Sequence, residues 1–211
     1  MPFVPVDRIF RASIAAIALL AISPAFGQSP LRVRGSITAI DDGSITVTEQ
    51  VGGAVRLSTG PATTYAGVIP SSLDAIGVGS FIGSAVKGPR DHLAAVEIVL
   101  VPETMRAGRV GYYPWDPLPD TSGINSSGMT DTIMTNGTVT SNCTDSAGRV
   151  LTVNLVGDKT ALISVSPRAP IVQFVPSDRS ALSIGSEVVV WTKPDNEARL
   201  VAIGLGVAPP M

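Results

Sequence analysis

The chain repeats itself, and a repeat settles architecture before any motif is read. At an offset of 106 residues the second half aligns with the first without a gap, from Ile45/Leu151 to Lys87/Lys193. Thr46 falls on Thr152, Val47 on Val153, Ser58 on Ser164 and Pro61 on Pro167. Pro70-Ser71 falls on Pro176-Ser177, Ala75 on Ala181, Val78 on Ile184, and Gly79-Ser80 on Gly185-Ser186. Upstream, Gly35-Ser36-Ile37-Thr38 matches Gly137-Thr138-Val139-Thr140 at an offset of 102, so the second copy carries four extra residues between its first two strands. The turn Asp41 to Gly43 then corresponds to the loop Cys143 to Arg149, which places Cys143 in an insertion outside the shared core.

Each copy reads as β-structure with one short helical turn. Val33, Ile37 and Ala39 alternate with polar residues, Asp41-Asp42-Gly43 makes a turn, and Ile45 and Val47 alternate with Thr46 and Thr48. Val55, Leu57 and Thr59 predict a third strand, matched by Ala161, Ile163 and Val165. Ser71 is expected to cap a helical turn through Ile76, with Asp74 bonding back to the cap. A fourth strand runs from Gly79 to Lys87 and a fifth from Leu93 to Val101. Three strands, a helical connection and two strands is the order of an OB-type barrel. The expected fold is therefore all-β: two tandem small five-stranded OB-like barrels related by internal duplication, over 32–101 and 135–208, joined by a Pro/Gly/Ser-rich linker over 102–134. Small SH3-like barrels are the alternative. Closing a barrel removes edge strands through which a weakly charged β protein aggregates.

Ahead of the first copy stands an address. Arg8 and Arg11 precede an apolar run from Ile14 to Ile22 and a small-residue site, Ala25-Phe26-Gly27, the three parts of an export signal peptide over 1–27. The apolar run is too short to span a bilayer, and no later segment is long enough to do so. The expected location is periplasmic or secreted in a Gram-negative bacterium. Cleavage would leave 13 basic and 16 acidic residues, a formal charge of -3, which gives no field for nucleic acid. Reactive side chains are scarce: His92 and Cys143 are the only residues of their types, too few for a zinc site or a disulfide framework. Burial is the common fate of such a lone thiol. No cofactor is expected.

The linker has two parts. Thr121 to Asp131 is rich in Ser, Gly and Thr without apolar period and predicts a mobile loop. Before it, Tyr112-Tyr113-Pro114-Trp115-Asp116-Pro117 gathers three of the seven aromatics that remain after residue 27. Several strings here resemble an uncharacterised family of exported proteobacterial proteins, domain of unknown function 5666. They are Val101-Pro102-Glu103, Pro114-Trp115-Asp116, Met134-Thr135-Asn136 and Phe174-Val175-Pro176-Ser177-Asp178-Arg179-Ser180. The resemblance covers nearly all of the chain after the signal and implies tandem small β domains in the periplasm or outside the cell. It implies no activity. Family members usually carry a basic residue before Pro-Trp-Asp, where this chain has Tyr113, and Gly where it has Ser177.

The candidate ligand- or partner-binding residues are Tyr112, Tyr113, Trp115 and Asp116, with Arg109 nearby. Prolines fix this segment, which lowers the entropy lost on binding. The competing reading is a clasp, in which the aromatics pack between two small barrels that lack core area of their own. Asp91-His92 adjoins a carboxylate and the one imidazole, but neighbours on a strand face opposite ways and form no dyad by spacing. No serine sits in a Gly-x-Ser-x-Gly elbow. Asp41, Asp42, Asp145 and Asp158 read as turn formers, not as converging calcium ligands. The expected function is a non-enzymatic binding or structural protein of the cell envelope, with an envelope protein or small ligand as partner and no nucleic acid. The alternative is an envelope-carbohydrate hydrolase using paired carboxylates such as Asp91 and Asp116.

Overall fold

The computed structural model describes Met1 and residues 32–49, 52–106, 111–146, 148–155 and 159–210. The expected signal peptide lies outside these residues apart from Met1, as do Arg109 and Asp158. Alternating apolar and polar residues draw the described chain into strands. The first group is β1 (Arg32–Asp41), β2 (Ser44–Glu49), β3 (Ala54–Ser58), β4 (Thr64–Pro70), β5 (Phe81–Lys87) and β6 (Leu93–Val101). The linker supplies β7 (Gly111–Pro114), β8 (Leu118–Pro119) and β9 (Met129–Thr130). Then come β10 (Ile133–Asp145), β11 (Gly148–Asn154), β12 (Thr160–Val165), β13 (Ile171–Ser177), β14 (Glu187–Thr192) and β15 (Ala198–Gly204). The only helical elements described are single 3-10 turns, and none is long and apolar enough to cross a membrane.

Five strands close into a barrel. β12 pairs β11, β11 pairs β10, β10 pairs β5 and β5 pairs β6, and β12 returns to β6 in parallel at Ile163/Leu93 and Ser164/Ala94. Ile82, Ile98, Val139, Leu151, Val153 and Ile163 fill it, none of them exposed. A second five-strand unit follows the same order with β3, β2, β1, β14 and β15, and one parallel bridge, Ser58/Glu197, brings β3 back to the start of β15. Ile37, Ile45, Val47, Leu57, Val190 and Ile203 form its core.

Residues 32–101 and 135–208 therefore do not each close on their own strands. Each unit takes three strands from one half of the chain and two from the other. The physical reason lies in β4 and β13; alternation hides β4 because Ala66, Gly67 and Val68 are all buried, the pattern of a strand covered on both faces, whereas β13 buries alternate residues, Val172 and Phe174. β4 and β13 pair antiparallel with each other, and each lies parallel to the last strand of the opposite half, β4 on β15 and β13 on β6. With β4 fixed in this central seam, the chain passes through the turn at Leu73–Ala75 into the far barrel. A third core of Ala66, Val68, Val99, Val172, Phe174 and Ala202 fills the seam.

The pairings of one half recur in the other. Gly35/Val188 has its counterpart in Gly137/Ile82, and Ile37/Val47 in Val139/Val153. Both long strands are bulged one residue later, between Ile37 and Ala39 and between Val139 and Ser141. At the centre Val68 pairs with Phe174, the residue 106 positions on, as a two-fold relation between the halves requires. Gly35 and Gly137 share one constraint: a Cβ would stand 1.9 Å from the Thr48 carbonyl oxygen and 2.2 Å from that of Asn154. The 3-10 turns at Leu73–Ala75 and Arg179–Ala181 deliver Ile76 and Leu182 to the two cores. The expected Ser71 cap is replaced by Ser72, which makes no side-chain cap bond, while Asp74 pairs with Arg149 at 2.7 Å. In the second turn Asp178 does cap, accepting from the Ser180 N–H.

Two local expectations are corrected. The 121–131 stretch is tied down: β8 pairs β9, Arg168 donates to the carbonyls of Gly123, Ile124 and Ser126, and the Thr121 hydroxyl donates to the Val96 carbonyl. Its order comes from hydrogen bonds to backbone carbonyls, which composition does not record. Cys143 lies at the end of β10 with its side chain exposed, because the extra residues prolong the β10–β11 hairpin beyond the core.

Candidate functional site

The aromatic linker segment is built onto the outside of the closed barrel. β7 adds to β10, pairing Gly111–Pro114 with Asn136–Ile133. Tyr113 and Trp115 then pack with Leu118 on Ala85, Val96 and Met134. The Trp115 N–H donates to the Thr132 carbonyl at 3.0 Å, and the Thr132 hydroxyl donates to the Asp116 carbonyl at 2.6 Å. These bonds fix the backbone on both sides of Trp115. Its ring meets Tyr113 edge-on at 6.0 Å, and the Asn136 amide donates to the Tyr113 hydroxyl at 2.8 Å. Tyr112 packs against the barrel core and lies under Arg90, whose guanidinium carbon is 4.4 Å from the ring centroid.

Asp116 carries the linker across to the second unit. Its carboxylate accepts from Arg32 at 2.7 and 3.2 Å and from Arg34 at 2.9 Å, both on β1. The Arg32 guanidinium lies 3.6 Å from the centroid of the Trp115 ring, so one cation is held by a carboxylate and an aromatic face together. Burial pushes the Asp116 carboxyl up, but the hydrogen bonds and charges of Arg32 and Arg34 outweigh it and hold it below its ordinary value. Burial lowers Arg34 despite Asp116, and the Arg32 charge adds to that. Arg34 Nε and Nη2 are covered and have no hydrogen-bond partner among the described residues. Further along, Lys87 donates to Asp120 at 2.5 Å. That bond and the Ser122 hydroxyl bring the Asp120 carboxyl down to about 2.

The structure thus brings Tyr113, Trp115 and Asp116 together and sets Tyr112 on the barrel side of the same strand, while Arg109 lies outside the described residues. Arg32, Arg34 and Asn136 complete the cluster and were missed. Arg32 and Arg34 lie more than 80 residues before Asp116, and nothing local marks them, although their alternation with Val33 shows that they share a face. His92 lies in the turn before β6, its N–H donating to the Pro89 carbonyl, and Asp91 is exposed beside it. Among the described residues no three His, Cys, Asp or Glu side chains converge to hold a metal ion. A shallow cleft of about 640 Å³ lies elsewhere, lined by Thr59, Thr63, Tyr65, Asp178 and Arg179 among others. Arg179 spans it, donating to the Thr59 hydroxyl and the Asp41 carbonyl.

No protein-family model, no curated protein and no solved structure matches this chain.

Proposed function

We propose that the chain is a non-enzymatic binding or structural protein of the bacterial cell envelope, exported by a signal over 1–27 and built by duplication of one small β unit. The matched strings ally it with the exported family designated domain of unknown function 5666. The offset identities and the recurring strand pairings support the duplication.

The observation that carries the binding reading is the Arg32, Arg34, Trp115 and Asp116 cluster. A half-buried indole capped by a guanidinium, on a backbone fixed by Pro114 and Pro117, is a rigid amphipathic surface of the kind that recognises a partner at low entropic cost. The same cluster favours binding over carboxylate-pair hydrolysis. Arg32 and Arg34 engage both oxygens of the Asp116 carboxylate, which leaves neither free to attack a sugar carbon or to carry a proton.

The test is Trp115→Ala. A retained melting temperature with loss of an envelope component captured by the wild-type protein supports a binding surface. A large fall in melting temperature with capture intact assigns Trp115 to a clasp instead.

A further inference from the structure

The shallow cleft of about 640 Å³ beside β4 shares no residue with the Trp115 cluster, and its polar lining belongs to one half of the chain only. At the offset of 106 residues, Thr59, Thr63 and Tyr65 correspond to Val165, Ala169 and Ile171, and Asp178 and Arg179 correspond to Ser72 and Leu73. In the closed barrel Val165 and Ala169 belong to the core, and Leu73 and Ile171 pack against it. Apolar side chains therefore satisfy the fold at these places. Around the cleft the chain instead buries the hydroxyls of Thr59 and Thr63, which is costly unless each is bonded. Thr63 donates to the Ala198 carbonyl and accepts from the Gly60 N–H. Thr59 accepts from Arg179, whose guanidinium also donates to the Asp41 carbonyl. What these bonds achieve is a guanidinium held in fixed orientation across an open cleft.

We propose that this cleft binds a neutral saccharide, one or two sugar rings of a glycan chain. Three observations carry it. A guanidinium has five N–H donors, and Arg179 gives hydrogen bonds to two neutral oxygens, which leaves donors for a ligand. Beside it the exposed Asp178 carboxylate accepts from the Ser180 N–H and forms no ion pair among the described residues. A donor and an acceptor side by side match the vicinal hydroxyls of a sugar, and one charge of each sign favours a ligand without net charge over an anion. Thr64 adds an exposed hydroxyl to the rim. Tyr65 supplies the third element. It is half-buried, fixed by packing against the core of β1–β3, and its uncovered part is an apolar wall for the C–H face of a ring. A shallow cleft of this volume suits a short stretch of a longer chain rather than an enclosed small molecule.

The probes are cellotriose, maltotriose and triacetylchitotriose, with trigalacturonate as the charged comparison. Each is titrated into the isotope-labelled full chain, and backbone amide shifts are read residue by residue. The expected result is saturable binding of at least one neutral trisaccharide with a Kd on the order of 1 mM or tighter, with shifts centred on residues 59–65 and 177–180. Arg179→Leu, Tyr65→Ile and Asp178→Ser exchange each side chain for the one the other half carries at the equivalent place. Each should keep the folded amide spectrum and weaken binding about tenfold or more. No saturation by any neutral probe up to about 30 mM, tighter binding of trigalacturonate that salt abolishes, or shifts centred on Trp115 overturns the proposal. Undiminished binding by folded Arg179→Leu overturns it as well. If a variant unfolds, the shift map of the unaltered chain still decides.

Discussion

Cutting the chain in its linker should leave the two halves associated, because each five-strand unit needs strands from both. A protease site inserted between Ser126 and Ser127 places the cut in the loop before β9. β14 and β15 place Val188, Val190, Val201 and Ile203 in the core of β1–β3, and β5 and β6 place Ile82, Val86, Leu93 and Ile98 in the core of β10–β12. At about 1.5–3 kcal/mol for each fully buried side chain, these eight contribute roughly 12–24 kcal/mol gross. Association of free halves costs about 4–15 kcal/mol, so the middle of both ranges leaves about 8 kcal/mol, a Kd on the order of 1 μM before the β4–β13 seam is added. Nicked protein at a few tens of micromolar should therefore elute as one species with an unchanged far-UV spectrum. Two separately eluting, folded halves would refute the exchanged arrangement, since that result requires each half to close on its own strands.

Other perturbations test other parts of the structure. Gly35→Ala and Gly137→Ala each force a Cβ into a carbonyl oxygen of the neighbouring strand, and either should cost about 3 kcal/mol or more, seen as loss of soluble yield or a melting temperature lower by about 6 °C or more. The Asp120 carboxyl at about 2 lies below its ordinary 3.8, so its bonds to Lys87 and Ser122 stabilise the fold above pH 4 and are lost as the pH falls from 4 through 2. Asp120→Asn should flatten that acid limb and cost at most about 2 kcal/mol at pH 7, measured by denaturant titration. Cys143 should react stoichiometrically with a maleimide in the native protein, and protection until unfolding would contradict its exposed position.

What was legible in the sequence divides along a physical line. Alternation at Ile37, Ile45, Val47 and Leu57 and at their counterparts named the residues that face a core, because side-chain direction in a strand is a local property. The turns before β5 and β14 were readable for the same reason: Gly79 and Gly185 adopt positive φ angles of 92° and 87°, where glycine is favoured. The aromatic segment was legible as a docked surface through its prolines, but its partners were not. Arg32 and Arg34 meet Asp116 only because β7 sets the linker on β10, and a tertiary route of that length leaves no mark in local spacing.

The exchange itself could not be read. The start of β1 and the start of β10 offer β5 two edges with similar side-chain patterns, and a pattern that specifies which residues point inward cannot tell them apart. Chain geometry decides between them. β4 ends at Pro70 inside the central seam, and about ten residues, including the 3-10 turn at Leu73–Ala75, separate it from β5 at Phe81. On the far side the Gly79 N–H donates to the Val139 carbonyl, and the Val139 N–H donates back to Ser80. The matching bonds in the other unit join Gly185 and Ser186 to Ile37. The turn before β5 is thus bonded to β10 and the turn before β14 to β1, so each crossing is fixed by its own pair of hydrogen bonds. Reading the exchange from sequence would have required recognising Thr64–Pro70 as a strand covered on both faces, which its Ala66-Gly67-Val68 centre encodes and which alternation hides.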